Sequence, residues 1–271
     1  AINLGVLNLS GNSSLLSGSG AIDIVSINNN TRTLTIQDAA ATGTVTFSGN
    51  VVLDNLISGS GAYIINLHGS SNTFTSAITF NNTAGVNLGN GSDNFTFNGG
   101  LTSTASTTTV NAAIATSNDA INLGVISLGG NSSLNSGSAA INIISVNNNT
   151  RTLTLQDAAA TGTVTFSGNV TLDNLVTGAG AYIVNLHGSS NTFTSLVSFL
   201  NTNGVTLGNG SDSFTFDGGL NSIFSTTTIN GTISTSNDPM NLGALVLSGN
   251  STLASGNAAI NIASINSSAR T

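Results

Sequence analysis

The chain contains no lysine, glutamate, cysteine or tryptophan, and proline occurs once, at Pro239. Each absence closes a class of protein. Without cysteine there are neither disulfide staples nor thiolate metal ligands. A single proline excludes a Pro-rich linker or a collagen-like rod. Three cations, Arg32, Arg151 and Arg270, stand against ten aspartates, for a net charge of −7. Nucleic-acid binding relies on Lys and Arg to release counterions from phosphates, so nucleic acid is not an expected partner. Anionic membrane surfaces are disfavoured for the same reason, and no apolar run approaches the ~20 residues of a membrane-inserted helix. Only 5% of the 271 residues are charged, where ordinary soluble domains have about 25%.

What is present compensates. The hydrophobic fraction is 39% and the mean hydropathy +0.27, which is not the apolar-poor composition of a disordered chain. The polar part is Ser, Thr, Asn and Gly. Thr, Val and Ile favour strands, while Gly and Asn favour tight turns. No signal peptide is visible at Ala1, and Thr271 falls inside a repeat. The sequence therefore reads as a processed chain or a fragment of a longer one. Its composition is that expected of a bacterial protein at the cell surface or in the extracellular medium.

Two repeats are nested. AINLGV at Ala1 returns at Ala120, and PMNLGA follows at Pro239, a period of 119 without a gap. Residues 1–119 and 120–238 are identical at 90 of 119 positions, and 239–271 begin a third copy. Inside each copy runs a shorter ruler. Ala followed by Ile or Tyr starts at Ala1, Ala21, Ala62 and Ala120, and turn clusters fall at 10–12, 28–30, 48–50, 69–72 and 89–92. The spacing is close to ~20 residues or its multiples, as solenoid repeats require. Six such units make one copy.

The runs between corners are of strand length. Ile22 and Ile24, Leu34 and Ile36, Val45 and Phe47, and Phe95 and Phe97 alternate with polar residues, which turns one face inward. The two copies exchange residues of similar volume at Leu7/Ile126, Val25/Ile144, Ile27/Val146, Ile36/Leu155, Ile57/Val176, Ile65/Val184 and Val110/Ile229. A packed core tolerates such swaps best, so these positions are expected to face inward. Together these features predict an all-β fold, a parallel β-solenoid with ~20-residue turns stacked at about 4.8 Å. The two full copies and the partial third then form one continuous solenoid of about thirteen turns, roughly 60–65 Å long at that spacing. Like charges would stack on one another, which accounts for their scarcity; Asn, Ser and Thr can form ladders instead. Tandem immunoglobulin-like sandwiches are the rival, but they predict aromatic anchors and a break near residue 119 that the sequence does not show.

Few residues qualify as sites. Arg32 and Asp38, repeated as Arg151 and Asp157, share parity with Leu34 and Ile36 and are expected to be structural, at a solenoid corner. His68 and His187 occur once per copy in NLHGSSNTF, with no Cys or Glu near, which suits a turn histidine better than a metal ligand. The segment LGNGSDNFT, 88–96, returns at 207–215 as LGNGSDSFT. It resembles the calcium-binding nonapeptide of RTX proteins, G-G-x-G-x-D-x-U-x, with Leu88 in place of the first Gly; that resemblance implies calcium at Asp93 and Asp212. Those sites lie between tandem nonapeptides, whereas each copy has one, and ordinary turn chemistry accounts for the segment equally well. No cofactor is otherwise implied. Threonine runs such as TSTASTTT at 102–109 fall at differing phases, against an ordered ice-binding array. The acids are dispersed, and Asp23 is replaced by Asn142, so no general acid–base pair for an enzyme is evident.

The segments GTVTFSGNV, GSGAYIINLHGSSNTF and VNLGNGSDNFTFNGG resemble the repeat regions of large bacterial exported β-strand-repeat proteins, the filamentous-haemagglutinin-like adhesins and autotransporter passengers. The resemblance implies an extracellular stalk or filament. A head-to-tail homopolymer is the expected self-association, because solenoid edges that carry no cap invite stacking. The alternative is an adhesin that grips a surface glycan or host receptor through a lateral face.

Overall fold

The computed structural model describes residues 1–266, so Arg270 lies outside the described residues. Among them every regular element is a β-strand. They fall into two compact units, 1–132 and 133–271, and each winds as a parallel β-solenoid. The parallel pairing excludes the sandwich alternative.

In the first unit each turn lays down three short runs of strand. One column of stacked partners passes through Ile2, Ile22, Val45, Ile65, Val86, Thr108 and Ile126. A second carries Leu7, Ile27 and Val51, then Leu53, Phe74 and Phe97. A third carries Leu15, Ile36 and Ser58, then Ile78, Leu101 and Ile121. The second unit repeats the plan, with its first column at Ile141, Val164, Val184, Val205, Thr227, Leu245 and Ile265.

Both first columns take six steps to cover 124 residues, about 21 per turn. The 119-residue copy is therefore five residues short of six turns, and equivalent residues change face. Ile2 stacks in the first column, but its counterpart Ile121 stacks on Leu101 in the third. In the second unit Ile141 and its counterpart Ile260 are separated in the same way, Ile260 lying over Met240 and Leu220.

The core follows the alternation read from the sequence. Ile22, Ile24, Leu34, Ile36, Val45, Phe47, Phe95 and Phe97 are all buried. Phenylalanines stack from turn to turn, Phe74 on Phe97 at 5.1 Å and Phe193 on Phe216 at 5.0 Å between near-parallel rings. Two of the volume-conserving exchanges were misplaced: Val25 and Ile144 are 50% and 49% exposed, and Ile57 is 43% exposed with Val176 half-buried. On an outward strand position a β-branched residue is favoured by backbone propensity alone, so conserved volume does not prove burial there. The threonines are also better aligned than their sequence phase suggests. Thr171, Thr192, Thr215 and Ser234 stand in one register because corner lengths vary and absorb the offsets.

Candidate functional site

The repeated Arg32 segment turns out to be a corner device. Between Asn29 and Thr33 the pairing register slips, giving a bulge. Asn29 laces it: its Nδ2 donates to Leu9 O on the previous turn at 2.6 Å, and its Oδ1 accepts from Thr31 N at 3.2 Å. Asn12 Oδ1 accepts from Thr33 N at 3.0 Å. Arg32 is half-buried on this bulge, with its Nε buried and unpartnered, while Arg151 is exposed.

Asp38 does not keep the parity of Leu34 and Ile36. Gln37 intervenes with φ +53°, and Gln156 with φ +55°, a left-handed conformation that few residues other than glycine adopt. The side chain of Gln37 is buried and spans two turns: its Oε1 accepts from Ser17 N at 2.9 Å and its Nε2 donates to Ser17 Oγ at 3.0 Å. Gln156 does the same to Ser136, at 2.9 and 3.1 Å. The strand thus ends at a glutamine pin, and Asp38 is thrown outward, where its Oδ1 accepts from Ala40 N at 2.9 Å. Asp157 accepts likewise from Ala159 N at 2.8 Å.

The two tyrosines seal the same corner. Tyr63 donates its hydroxyl to Gly59 O at 3.0 Å and Ile36 O at 3.2 Å, and Tyr182 to Leu155 O at 3.1 Å. Both rings are fully buried. Burial pushes each phenol up to about 12, outweighing the opposing hydrogen bonds from Ser58 and Gly59, or Thr177 and Gly178. Sequence reading missed both glutamines and both tyrosines. The clue was their retention beside a Gly/Ala-rich turn, which composition alone cannot separate from the general identity of the copies.

Asp93 and Asp212 are buried where a four-residue loop bulges from its strand, marked by register slips at Val110/Ala112 and Leu207/Asp212. Their Oδ2 atoms accept from Asn90 N and Asn209 N, both at 2.8 Å. Each carboxylate closes its own loop. Calcium takes six to eight oxygen ligands, and among the described residues no three His, Cys, Asp or Glu groups come together. His68 and His187 are half-buried and donate their backbone N–H to Phe47 O and Phe166 O, each at 2.9 Å, as ladder members. Asp173 accepts from Ser195 Oγ and Thr194 Oγ1, both at 2.7 Å, and these donors hold its carboxyl below the usual range.

Outward positions form polar ladders. Asn87 Nδ2 donates to Asn66 Oδ1 at 2.6 Å, and Asn66 Nδ2 to Thr46 Oγ1 at 3.2 Å. Asn261 Nδ2 donates to Asn241 Oδ1 at 2.8 Å. The predicted charged sites are thus dispersed among separate corners, and each described polar contact joins one turn to its neighbour or closes one loop.

These features define a repeat-built parallel β-solenoid whose polar side chains bond turn to turn. No protein-family model matches the chain, and neither a curated protein nor a solved structure is significantly similar to it.

Proposed function

We propose that the protein is structural: an extracellular or cell-surface repeat chain that makes a stalk or filament by stacking solenoid turns end on end. The observation that carries the reading is turn-on-turn stacking within each unit: each first column runs through six stacked steps, and ring-on-ring and amide-on-amide contacts join successive turns. A parallel stack of this kind is extended by any further turn whose strand edges pair with its own, whether from more repeats or from another chain. Stability in such an object is close to a sum of turn-to-turn interfaces, so copying 119 residues extends it without new design.

The low charge, the Asn/Ser/Thr/Gly surface and the likeness to exported bacterial strand-repeat proteins support placement at the cell surface. The dispersed aspartates support a non-catalytic role. Electron microscopy of the purified chain at rising concentration tests the reading. Filaments or end-joined rods whose length grows with concentration are expected; isolated short particles at every concentration would refute end-on stacking.

A further inference from the structure

The dipeptide Asn-Gly occurs five times, at 90–91, 98–99, 203–204, 209–210 and 230–231. It is the pair most prone to lose the asparagine amide, because glycine, with no side chain of its own, leaves its nitrogen free to reach the preceding one. Sequence gives all five the same intrinsic chemistry. The fold does not treat them alike.

Asn90-Gly91 and Asn209-Gly210 fall on the two four-residue loops that bulge out between Leu88 and Asp93 and between Leu207 and Asp212. Asn90 and Asn209 are exposed, and a Cβ added at Gly91 or Gly210 would meet nothing within 4 Å. The other three pairs are held. Asn98 is half-buried, its Oδ1 accepts from Ser117 Oγ at 2.7 Å, and Gly99 lies too close to Ala77 N to admit a Cβ. Gly231 is buried in its strand against Asp212 O, and its N donates to Ser251 Oγ at 3.4 Å. Gly204 O accepts from Val184 N at 3.1 Å and from Asn201 Nδ2 at 2.8 Å, which pins the corner beside Asn203.

We infer that Asn90 and Asn209 are sites of spontaneous deamidation, at which the protein modifies itself with water as the only co-reactant. The Gly91 nitrogen gives up its proton and attacks Cγ of Asn90. The Cγ–Nδ2 bond breaks, ammonia leaves with a proton, and a five-membered succinimide joins the two residues. Water then opens one of the two ring C–N bonds. Opening at Cγ gives aspartate; opening at the main-chain carbonyl gives isoaspartate, whose backbone runs through the side chain. Gly210 and Asn209 react in the same way. Closing the ring requires the Asn–Gly peptide to rotate, which an unpaired loop permits at little cost and a laddered strand resists. Each event adds one negative charge to a loop that already carries Asp93 or Asp212. Isoaspartate also lengthens the segment that these carboxylates close through Asn90 N and Asn209 N. One contact retards the first site. The Asn111 amide faces Gly91, accepting from its N at 3.3 Å and donating to its O at 3.2 Å, at the long end of the hydrogen-bond range.

Peptide mapping by mass spectrometry tests this on the 271-residue chain, incubated at mildly alkaline pH both folded and unfolded in urea. In the folded chain Asn90 and Asn209 are expected to convert about tenfold faster, or more, than Asn98, Asn203 and Asn230, because only their loops are unpaired. In urea the five rates should converge. Gly91→Ala enters open space and so keeps the fold; it should slow Asn90 about tenfold and leave Asn209 unchanged. Asn111→Ala should speed Asn90 alone. Amides that persist at 90 and 209 in the folded chain while the unfolded chain reacts would overturn the proposal. So would equal rates at all five sites in the folded chain, since the fold would then exert no selection.

Discussion

Gln37 and Gln156 accept a left-handed backbone in order to place an amide inside the protein. Removing the amide leaves Ser136 N buried, and Ser17 N half-buried, without its acceptor, at a cost of about 1–3 kcal/mol and nearer the lower end for Ser17. Gln37→Ala and Gln156→Ala are therefore expected to lower stability by that amount each, measured by urea unfolding, and the double variant should be close to additive because the pins are far apart in the chain. The tyrosines make a pH prediction. Their folded pKa of about 12 exceeds the ordinary value of 10.0. The folded state then holds protons that the unfolded state releases, so stability is full below about pH 10 and falls as pH rises toward 12. With no lysine or cysteine in the chain, no other side chain titrates in that window. Tyrosinate absorbance should appear late and together with unfolding, and Tyr63→Phe/Tyr182→Phe should flatten the alkaline loss. An early, independent tyrosinate transition would contradict burial as the cause.

At the scale of the turn, corners decide more than strands. Gly162 passes so close to the previous corner that an added Cβ would lie inside the envelope of Ala139 O, whereas Gly5 has nothing within 4 Å. Gly162→Ala is expected to cost about 3 kcal/mol or more, since backbone would have to move, and Gly5→Ala to stay within about 0.5 kcal/mol. Thermal unfolding of the two variants checks both. The same contrast explains what could be read in advance. Inward residues of the strands were legible because the pleat forces a period of two: Ile22, Ile24, Val45 and Phe47 are buried as expected. Val25 and Ile57 were misread because an outward strand position favours the same residue types as the core. Asp38 is at a corner as expected of a structural residue but off the parity of Leu34 and Ile36, because a single positive φ at Gln37 resets the alternation, and nothing in the side-chain pattern announces a non-glycine residue in that conformation. Leu200 and Ile223 stand out in the letters as departures from Asn81 and Thr104 of copy one, but only the stacked partners Ser198 and Asn221 bring the two near each other.

At the scale of the whole repeat, the mismatch between 119 and 124 residues governs what a lateral surface can present. Six turns consume 124 residues, so a copy ends five residues early and its successor starts on another face. Within the first unit, Asn3 and its counterpart Asn122 are therefore displaced around the axis as well as along it. The first unit alone suffices to test this, because it contains both Asn3 and its counterpart Asn122, and also Ser127, which ends the column that Asn3 begins. The native chain has no cysteine, so pairs of spin labels can be attached at introduced cysteines without background. Labels at positions 3 and 127 share one face across six stacked spacings and should lie about 29 Å apart. Labels at 3 and 122, though nearer in sequence, sit on different faces, and their separation should exceed that of the first pair, because the lateral offset between faces adds at right angles to the axial rise. Equal distances for the two pairs would mean that the copy closes on a whole number of turns.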